Sequence, residues 1–405
     1  MRCWDPNVSQ NYTQELSSIL DKFNPDVVGV SFRNLDSIFS SRKHSYYPPF
    51  VSLIRSIKEK TPSSKLVVGG AGFSAFSKII MEKNSEIDFG IISEGEYVFS
   101  ELLENLDHPK RVKNLVFRDN GKVVFTERAE LIDFDCQPPP SREFFELWRY
   151  KGKPVAMGIQ SKRGCGFECI YCLHRFIMGR NYRLRSPKKV VDEIEELVTE
   201  HGIQNFYFVD PVFNFPLDHG QEICSEIIKR KLDISWEAAF RPDFINSRFM
   251  ETAIKAGCHL FDFSPDGASD GALRSLCKNL TVNHIEKTID LTRRIDNACS
   301  AYGFVYDLPS NNAEHIAGLL RLFPKIMLLA NTKLRYLSLT KMRIFPSTPL
   351  YEIALKEGKI KDETDLLYPV HYESPSSDIL PSMALGSAFL FQKFTNKFRA
   401  LRNKT

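Results

Sequence analysis

The chain has 405 residues, of which 43% are hydrophobic and 26% are charged, a composition typical of a globular protein with two or three domains. Its formal net charge of +4 is too small, on a chain of this length, to indicate a nucleic-acid partner. No apolar signal core opens the sequence, and no apolar run has the length of a membrane span.

Residues 1–130 alternate apolar strands with amphipathic helices. Strands are predicted at 27–31, 66–70 and 89–92, with helices before and between them. Continuous apolar strands separated by helices predict a parallel sheet covered on both faces. We therefore expect a Rossmann-like, flavodoxin-like domain here. A hairpin is expected to follow it, turning at Asn120-Gly121.

Ligands of such sheets bind beyond the carboxyl ends of the strands. In this sequence those positions carry Ser31, the pair Gly69-Gly70 and the run from Ser93 to Glu96. A glycine at a strand end lets the backbone approach a flat ligand closely, although the same pair also suits a tight strand-to-helix turn. The strand ends are therefore candidate ligand-binding positions.

Residues 131–154 contain the run Pro138-Pro139-Pro140, which indicates a linker and a domain boundary. From residue 155 to 340 the alternation resumes as six β/α units, and Ser186-Pro187 predicts the start of one of the helices. This series favours a partial (β/α)6 barrel with its site at the carboxyl ends of the strands. The predicted strands are 156–161, 205–210, 235–240, 259–264, 301–306 and 334–339.

Three cysteines, Cys165, Cys169 and Cys172, follow the first of these strands with the spacing C-x3-C-x2-C. Three thiolates on one tight loop suit a four-iron cluster in which one iron has no protein ligand. A closed zinc site would instead need four ligands, usually as two separated pairs. The absence of any other pairing pattern among the nine cysteines indicates a reducing, cytoplasmic setting.

The rest of the sequence, residues 341–405, is predicted to be a C-terminal extension. It contains the apolar run 383–391, followed by a basic run. A terminal helix that docks on the body of the protein is favoured over a membrane-surface anchor.

The cysteine loop after the first strand of a β/α barrel resembles the radical S-adenosylmethionine (SAM) superfamily. The resemblance implies a [4Fe-4S] cluster on the three cysteines, whose open iron binds SAM. Reductive cleavage of SAM would then release a 5'-deoxyadenosyl radical. It also implies an external electron donor, such as flavodoxin or ferredoxin, and a small-molecule substrate.

Four residues outside the cysteines resemble positions at which this superfamily contacts SAM. Tyr171 fits the aromatic position near the adenine, and Asp210 ends the second strand, where the amino group is often held. Arg241 belongs to a frequent Phe-Arg-Pro-Asp pattern. Asp266 stands where relatives often have a glutamate. Each also has a structural interpretation, as a loop cap for the aspartates or an ion pair for the arginine.

The N-terminal domain resembles the cobalamin-binding domain of the members that also use this cofactor. The resemblance implies cobalamin contacts at Ser31, Gly69, Gly70, Glu94 and Gly95. Relatives usually begin with a further strand and helix, which this sequence is expected to lack. It also contains no Asp-x-His-x-x-Gly motif that would supply a histidine ligand to cobalt.

The combined resemblance implies a cobalamin-dependent radical SAM enzyme that transfers a methyl group to an unactivated carbon. The alternative is a radical rearrangement, cyclisation or decarboxylation with a vestigial cobalamin domain. A non-catalytic iron–sulfur protein is the least favoured interpretation.

Overall fold

A computed structural model describes residues 1–37, 40, 43–150, 157–329 and 333–374. The predicted strand start at 156, the end of the linker at 151–154 and the apolar run 383–391 lie outside these residues. Within the described part, no helix is both long and apolar enough to span a membrane.

The first sheet lies in the N-terminal part of the chain, with its strands side by side in sequence order. Three strands are parallel, and two further strands add to them in antiparallel fashion. The strands are β1 (Val27–Ser31), β2 (Lys65–Gly69), β3 (Phe89–Ile91), β4 (Leu115–Asp119) and β5 (Lys122–Phe125). The helices are α1 (Tyr12–Phe23), α2 (Tyr47–Lys60), α3 (Ala71–Lys83) and α4 (Glu96–Glu104).

Successive residues of β2 point to opposite faces of this sheet. Leu66 and Val68 belong to one hydrophobic core, together with buried residues of α1, α2 and α3. Val67 belongs to another core, which contains the buried residues of α4. The period of two along a strand explains this division. The prediction of a parallel sheet covered on both faces is confirmed, whereas the lack of a preceding strand and helix stays a prediction.

The predicted hairpin is present as β4 and β5. Asn120 and Gly121 form its turn, with φ angles of 50° and 79°. Two positive φ angles in a two-residue turn match the twist of the flanking strands.

The second sheet is parallel throughout, and its strands again lie in sequence order. It consists of β6, β9, β10, β11, β12 and β13, while β7 and β8 form a separate antiparallel pair. The strands are β6 (Met157–Ile159), β7 (Lys162–Arg163), β8 (Arg183–Leu184), β9 (Asn205–Phe208), β10 (Ser235–Phe240), β11 (Cys258–Asp266), β12 (Ser300–Val305) and β13 (Leu334–Thr340).

Helices connect these strands, and the ones between β8 and β13 share one large core with a single face of the sheet. This arrangement fits the predicted partial barrel, in which the opposite face of the sheet would be the inner face. The helices are α5 (His174–Met178), α6 (Pro187–His201), α7 (Leu217–Lys229), α8 (Ser247–Lys255), α9 (Asp270–Ser275), α10 (Val282–Arg294), α11 (Asn312–Met327) and α12 (Pro349–Lys356). Short 3-10 helices span Pro6–Val8, Pro109–Arg111, Leu147–Tyr150 and Pro242–Phe244.

The start of α6 follows the chemistry that the sequence predicts. Ser186 is the N-cap and its hydroxyl accepts a hydrogen bond from the Lys189 N–H, while Pro187 occupies the first turn. The helix ends at Gly202, which has a φ of 64°. Serine before the helix, proline in its first turn and glycine after it are the usual signals of these boundaries.

Residues 341–374 cross back onto the N-terminal domain. Arg343 donates to Asp36 at 2.7 Å and to the Leu366 carbonyl at 2.6 Å. The side chains of Arg343 and Asp36 are only 3% and 1% exposed. This segment also supplies Ile344, Leu350 and other residues to the core that contains Leu66. The C-terminal segment is thus part of the structure that joins the two sheets.

Candidate functional site

The three cysteines lie on a loop, residues 164–182, whose two ends are joined by the β7–β8 pair. Gly164 enters the loop with a φ of 87°, and a Cβ atom at this position would lie 2.0 Å from the Asn181 carbonyl oxygen. The Cys165 N–H donates to the Gly179 carbonyl at 3.0 Å. The loop therefore closes on itself, which explains why glycine precedes the first cysteine.

The cysteines present thiols suited to a multi-iron cluster. All three are free of disulfides. Sulfurs bound to one zinc ion at about 2.3 Å can be at most about 4.6 Å apart. Among the described residues, three ligand atoms lie within 4.8 Å of one another only at Glu196, Glu200 and His201, on the α6 surface. At least one pair of the cysteine sulfurs is therefore further apart than 4.8 Å. A cluster larger than one ion fits this spacing.

Burial raises the pKa of Cys172 to about 12, and the neighbouring Cys169 and Cys165 contribute to the increase. A thiol of this kind becomes a thiolate when a metal supplies positive charge. The donor set therefore fits an iron–sulfur cluster held by Cys165, Cys169 and Cys172.

Backbone contacts from two distant parts of the chain hold the middle of this loop. The Ile170 N–H donates to the Leu276 carbonyl at 3.2 Å, and the Ile170 carbonyl accepts from the Leu350 N–H at 3.0 Å. Ile170 is 5% exposed. The residue between the second cysteine and Tyr171 is thus held by the barrel on one side and by the C-terminal segment on the other.

Tyr171 and Asp266, both predicted to contact SAM, lie together beside the cysteines. The Tyr171 hydroxyl donates to Asp266. Lys278 donates to Asp266 at 2.6 Å and to the Tyr171 hydroxyl at 3.2 Å. Asp266 has a φ of 64°, which is unusual for aspartate and turns the chain at the end of β11.

Lys278 is a site residue that sequence reasoning missed. Burial acts to lower its pKa, but the charges of Asp266 and Cys169 raise the pKa above its ordinary value. The side chain is therefore a buried ammonium beside the cysteine loop. Its position on the chain, after α9, carries no periodic or motif signal, because only the tertiary fold brings it to Tyr171.

Asp210 lies at the carboxyl end of β9, as expected, and its carboxylate faces the start of the cysteine segment. It accepts hydrogen bonds from the N–H groups of Ser161 and Lys162, at 2.8 and 3.2 Å, and from the Ser161 hydroxyl. Burial raises its pKa. These contacts show Asp210 fixing the backbone that leads into the cysteine loop.

Arg241 follows β10 and is 5% exposed. Its guanidinium pairs with Asp243 at 2.9 Å and donates to the Lys278 carbonyl at 2.7 Å. It also lies 3.7 Å from the ring centre of Phe167, which belongs to the cysteine loop. Arg241 therefore links the Lys278 backbone to the loop, and its contact with SAM stays a prediction.

The predicted cobalamin residues separate into two groups. Ser31, Gly69 and Gly70 lie together at the ends of β1 and β2. A Cβ at Gly70 would lie 2.8 Å from the Phe32 carbonyl oxygen, and the φ of Gly70 is 98°. A Cβ at Gly69 would meet nothing closer than 3.7 Å. Packing within the protein therefore explains Gly70, whereas a Cβ at Gly69 would make only ordinary van der Waals contact with Ile91.

Glu94 and Gly95 follow β3, at the interface with the cysteine loop. Glu94 is bonded to Arg163 and Arg183, at 3.2 and 2.7 Å. The adjacent Ser93 hydroxyl donates to the Ile177 carbonyl at 2.6 Å. The end of β3 thus packs on the loop that carries the cysteines.

The inner face of the second sheet carries polar side chains that the sequence analysis did not single out. Tyr207 and Glu237 are neighbours across β9 and β10. Asp262 accepts a hydrogen bond from Tyr336, and burial raises the pKa of Asp262. Their signal was present in the strands, where polar residues alternate with large apolar ones. They line the face toward which a substrate in the barrel would lie.

Two family models match the chain. The model of the radical SAM superfamily matches residues 159–323, and the model of the B12 binding domain matches residues 3–103. The first range includes the cysteine loop and the second contains β1, β2 and β3.

Curated relatives include an uncharacterised methyltransferase of Pyrococcus horikoshii, 26% identical over 84% of this chain and 72% of the relative. An anaerobic magnesium-protoporphyrin IX monomethyl ester cyclase of Cereibacter sphaeroides is 29% identical over 63% of this chain and 44% of its own length. This chain therefore spans less than half of that cyclase.

Among solved structures, the radical SAM methyltransferase TsrM of Kitasatospora setae, with tryptophan and a SAM analogue bound, has a TM-score of 0.74 and 21% identity. The similarity covers 86% of this chain and 68% of that one. At this identity the likeness shows a common fold, with both sheets included.

Proposed function

Because this chain belongs to the radical SAM superfamily and carries a B12-binding domain, we propose that it is a cobalamin-dependent radical SAM methyltransferase. Its substrate is a small molecule that is methylated at an unactivated carbon. The main support for this proposal is that the end of β3 packs on the cysteine loop. The Ser93 hydroxyl there donates to the Ile177 carbonyl at 2.6 Å. Methyl transfer needs the two cofactors close together.

Cys165, Cys169 and Cys172 would hold the [4Fe-4S] cluster, and Tyr171, Asp210, Arg241 and Asp266 the surroundings of SAM. When bound, the cluster supplies the electron that cleaves SAM reductively. Tyr171 and Asp266 are already fixed by Lys278, so they can position a cofactor without reorganising. Ser31, Gly69 and Gly70 line the side on which cobalamin would bind.

An external electron donor, such as flavodoxin or ferredoxin, and a cytoplasmic setting belong to the same proposal. All nine cysteines lie among the described residues, and none of them forms a disulfide, which supports a reducing setting.

Cyclisation is the second candidate function, because three cyclase relatives are 28–29% identical to this chain. Methyltransferase relatives support the first candidate over a similar range, among them the cytidylyl-2-hydroxyethylphosphonate methyltransferase of Streptomyces wedmorensis, 24% identical over 65% of this chain. The two reactions differ in what they do with SAM.

The test is anaerobic reconstitution with iron, sulfide and hydroxocobalamin, followed by addition of SAM and a reductant. A methyltransferase converts SAM to S-adenosylhomocysteine, whereas radical cleavage alone gives 5'-deoxyadenosine. We expect both products, bound cobalamin and four irons per chain. The variant with Cys165, Cys169 and Cys172 all changed to alanine is expected to bind no cluster, and Cys277→Ala, on the exposed surface, to bind it normally. A colourless protein that forms no S-adenosylhomocysteine would overturn methyl transfer.

A further inference from the structure

Glu94 lies at the base of the cysteine loop, and its side chain is only 9% exposed. One partner is Arg163, at 3.2 Å, immediately before the loop. The other is Arg183, immediately after the loop, with contacts of 2.7 and 2.8 Å. One carboxylate of the N-terminal domain therefore joins both ends of the loop that carries the three cysteines.

The Glu94 carboxylate is held by partners within the protein and does not point toward a free ligand site. It also accepts the Ile132 N–H at 3.0 Å, from the linker between the domains. Burial acts to raise its pKa, but Arg183, Ile132 and Arg163 together hold the pKa of Glu94 below its ordinary value. Glu94 is therefore ionised, and its hydrogen-bonding capacity is used within the protein.

The two arginines are themselves fixed in place. Arg163 lies over the ring of Phe134, 4.3 Å from its centre, and Arg183 donates to the carbonyls of Ile132 and Met178 at 2.8 and 2.9 Å. Arg163 and Arg183 are also direct partners in the β7–β8 pair. Without the Glu94 charge, the neighbouring guanidinium groups of Arg163 and Arg183 would each lose one ion-pair partner.

We propose that Glu94 is a positioning residue that fixes the base of the cluster-binding loop to the N-terminal domain, and that it is not a cobalamin ligand. The role rests on the proposed function in one respect, since it takes the cysteine loop as the cluster site. This positioning role takes the place of the cobalamin contact that the sequence resemblance implies for Glu94. Hydrogen bonds that involve charged, buried groups are the strong ones, which is why a single carboxylate can hold a loop.

Hydrogen–deuterium exchange of the full-length apo-protein measures the loop without any cofactor. For Glu94→Gln we expect residues 164–182 to exchange about tenfold faster or more, because a charged hydrogen bond to each arginine is lost. Glu96→Gln is the matched control, since Glu96 also pairs with Arg163 but is 37% exposed. Exposed pairs contribute little, so the control loop is expected to exchange as in the wild type.

The second readout is the reconstituted cluster. Glu94→Gln is expected to shift the electron paramagnetic resonance signal of the reduced cluster and to retain cobalamin, while Glu94→Asp restores part of the wild-type signal. If Glu94→Gln fails to fold, Arg183→Lys tests the same contact. This variant keeps the positive charge but loses the planar guanidinium, so residues 164–182 should again exchange faster than in the wild type.

Loss of cobalamin from Glu94→Gln with unchanged exchange in the loop would overturn the inference and restore a ligand role. Unchanged exchange and an unchanged signal would also overturn it. If the wild-type protein itself binds no cluster, the proposed function fails, whereas the exchange experiment still decides whether Glu94 fixes the loop.

Discussion

The ammonium group of Lys278 lies 2.6 Å from a carboxylate oxygen of Asp266, and the two side chains are 9% and 14% exposed. The two residues do not share a helix or strand: Asp266 ends β11, whereas Lys278 follows α9. Both members of the pair are hydrogen-bonded to the hydroxyl of Tyr171, which belongs to the cysteine loop.

Lys278→Met is expected to destabilise the apo-protein by roughly 3–5 kcal/mol, because it leaves a buried carboxylate without its cation. The free energy of unfolding from urea titrations measures this loss. Lys325→Met removes an ion pair to Glu286 whose side chains are 47% and 31% exposed, and is expected to lose less than about 1 kcal/mol. The double variant Lys278→Met/Asp266→Asn should recover part of the loss; a fully additive result would show that the pair is not coupled.

Arg343 and Asp36 form a buried pair between the C-terminal segment and the N-terminal domain. Arg343→Met is expected to lower the free energy of unfolding by roughly 3–5 kcal/mol and to make residues 341–374 sensitive to limited proteolysis. Lys83→Met is the matched control, because Lys83 joins the same two regions through Asp365, with side chains 45% and 34% exposed. Equal proteolysis of both variants would contradict the prediction.

His219 makes the stability of the protein depend on pH in the acidic range. It is buried, and its Nε2–H donates to the Arg185 carbonyl at 2.8 Å. Burial, with the nearby charge of Lys162, lowers the pKa of His219 to about 4. In the unfolded chain the pKa is about 6.5.

Between pH 6.5 and about 4 the unfolded state binds the additional proton, so stability falls as the pH falls through this window. Below this window His219 is protonated in both the folded and the unfolded state, so it causes no further loss of stability. His219→Gln should remove roughly 3 kcal/mol of this pH dependence in urea titrations, since each pKa unit corresponds to about 1.4 kcal/mol. His108→Gln, at an exposed position, should leave the dependence as in the wild type; the same slope in all three proteins would refute the prediction.

The adjacent glycines at the end of β2 separate packing from ligand binding. Gly70→Ala is expected to lower the free energy of unfolding by roughly 1–3 kcal/mol, because its φ of 98° is unfavourable for alanine. Gly69→Ala has room for its methyl group, and its stability is expected to stay within about 0.5 kcal/mol of the wild type.

Cobalamin retained after gel filtration then tests the predicted contact at Gly69. We expect less cobalamin on Gly69→Ala, because the added methyl group would lie between the backbone and the ligand. Wild-type retention by this stable variant would remove Gly69 from the predicted cobalamin site.

The sequence allowed the strands of both sheets to be predicted to within a few residues, because each is a short run, either apolar or alternating, between helices of clear period. Tyr171 could be placed beside the cysteines for the simple reason that it is covalently next to Cys172. Asp210 and Arg241 were located correctly at strand ends, but their partners Ser161 and Phe167 depend on how the cysteine segment folds back.

Lys278 and the ion pairs of Glu94 show which contacts could not be predicted. Lys278 reaches the site from the end of α9, and nothing in the local sequence specifies its distance to Tyr171. Glu94 stands at a strand end, where ligand contacts are common, yet the structure turns it toward Arg163 and Arg183. Which of two plausible partners a charged side chain takes depends on the packing of domains, which local patterns do not encode.

The contact between Ile170 and Leu350 also has a consequence for biosynthesis. During translation the three cysteines leave the ribosome well before the segment that completes the walls of their loop. We therefore expect iron delivery to follow the emergence of Leu350 from the ribosome. A product that ends before Leu350 would lack the hydrogen bond to the Ile170 carbonyl, and its cysteine loop would be held only from the barrel side.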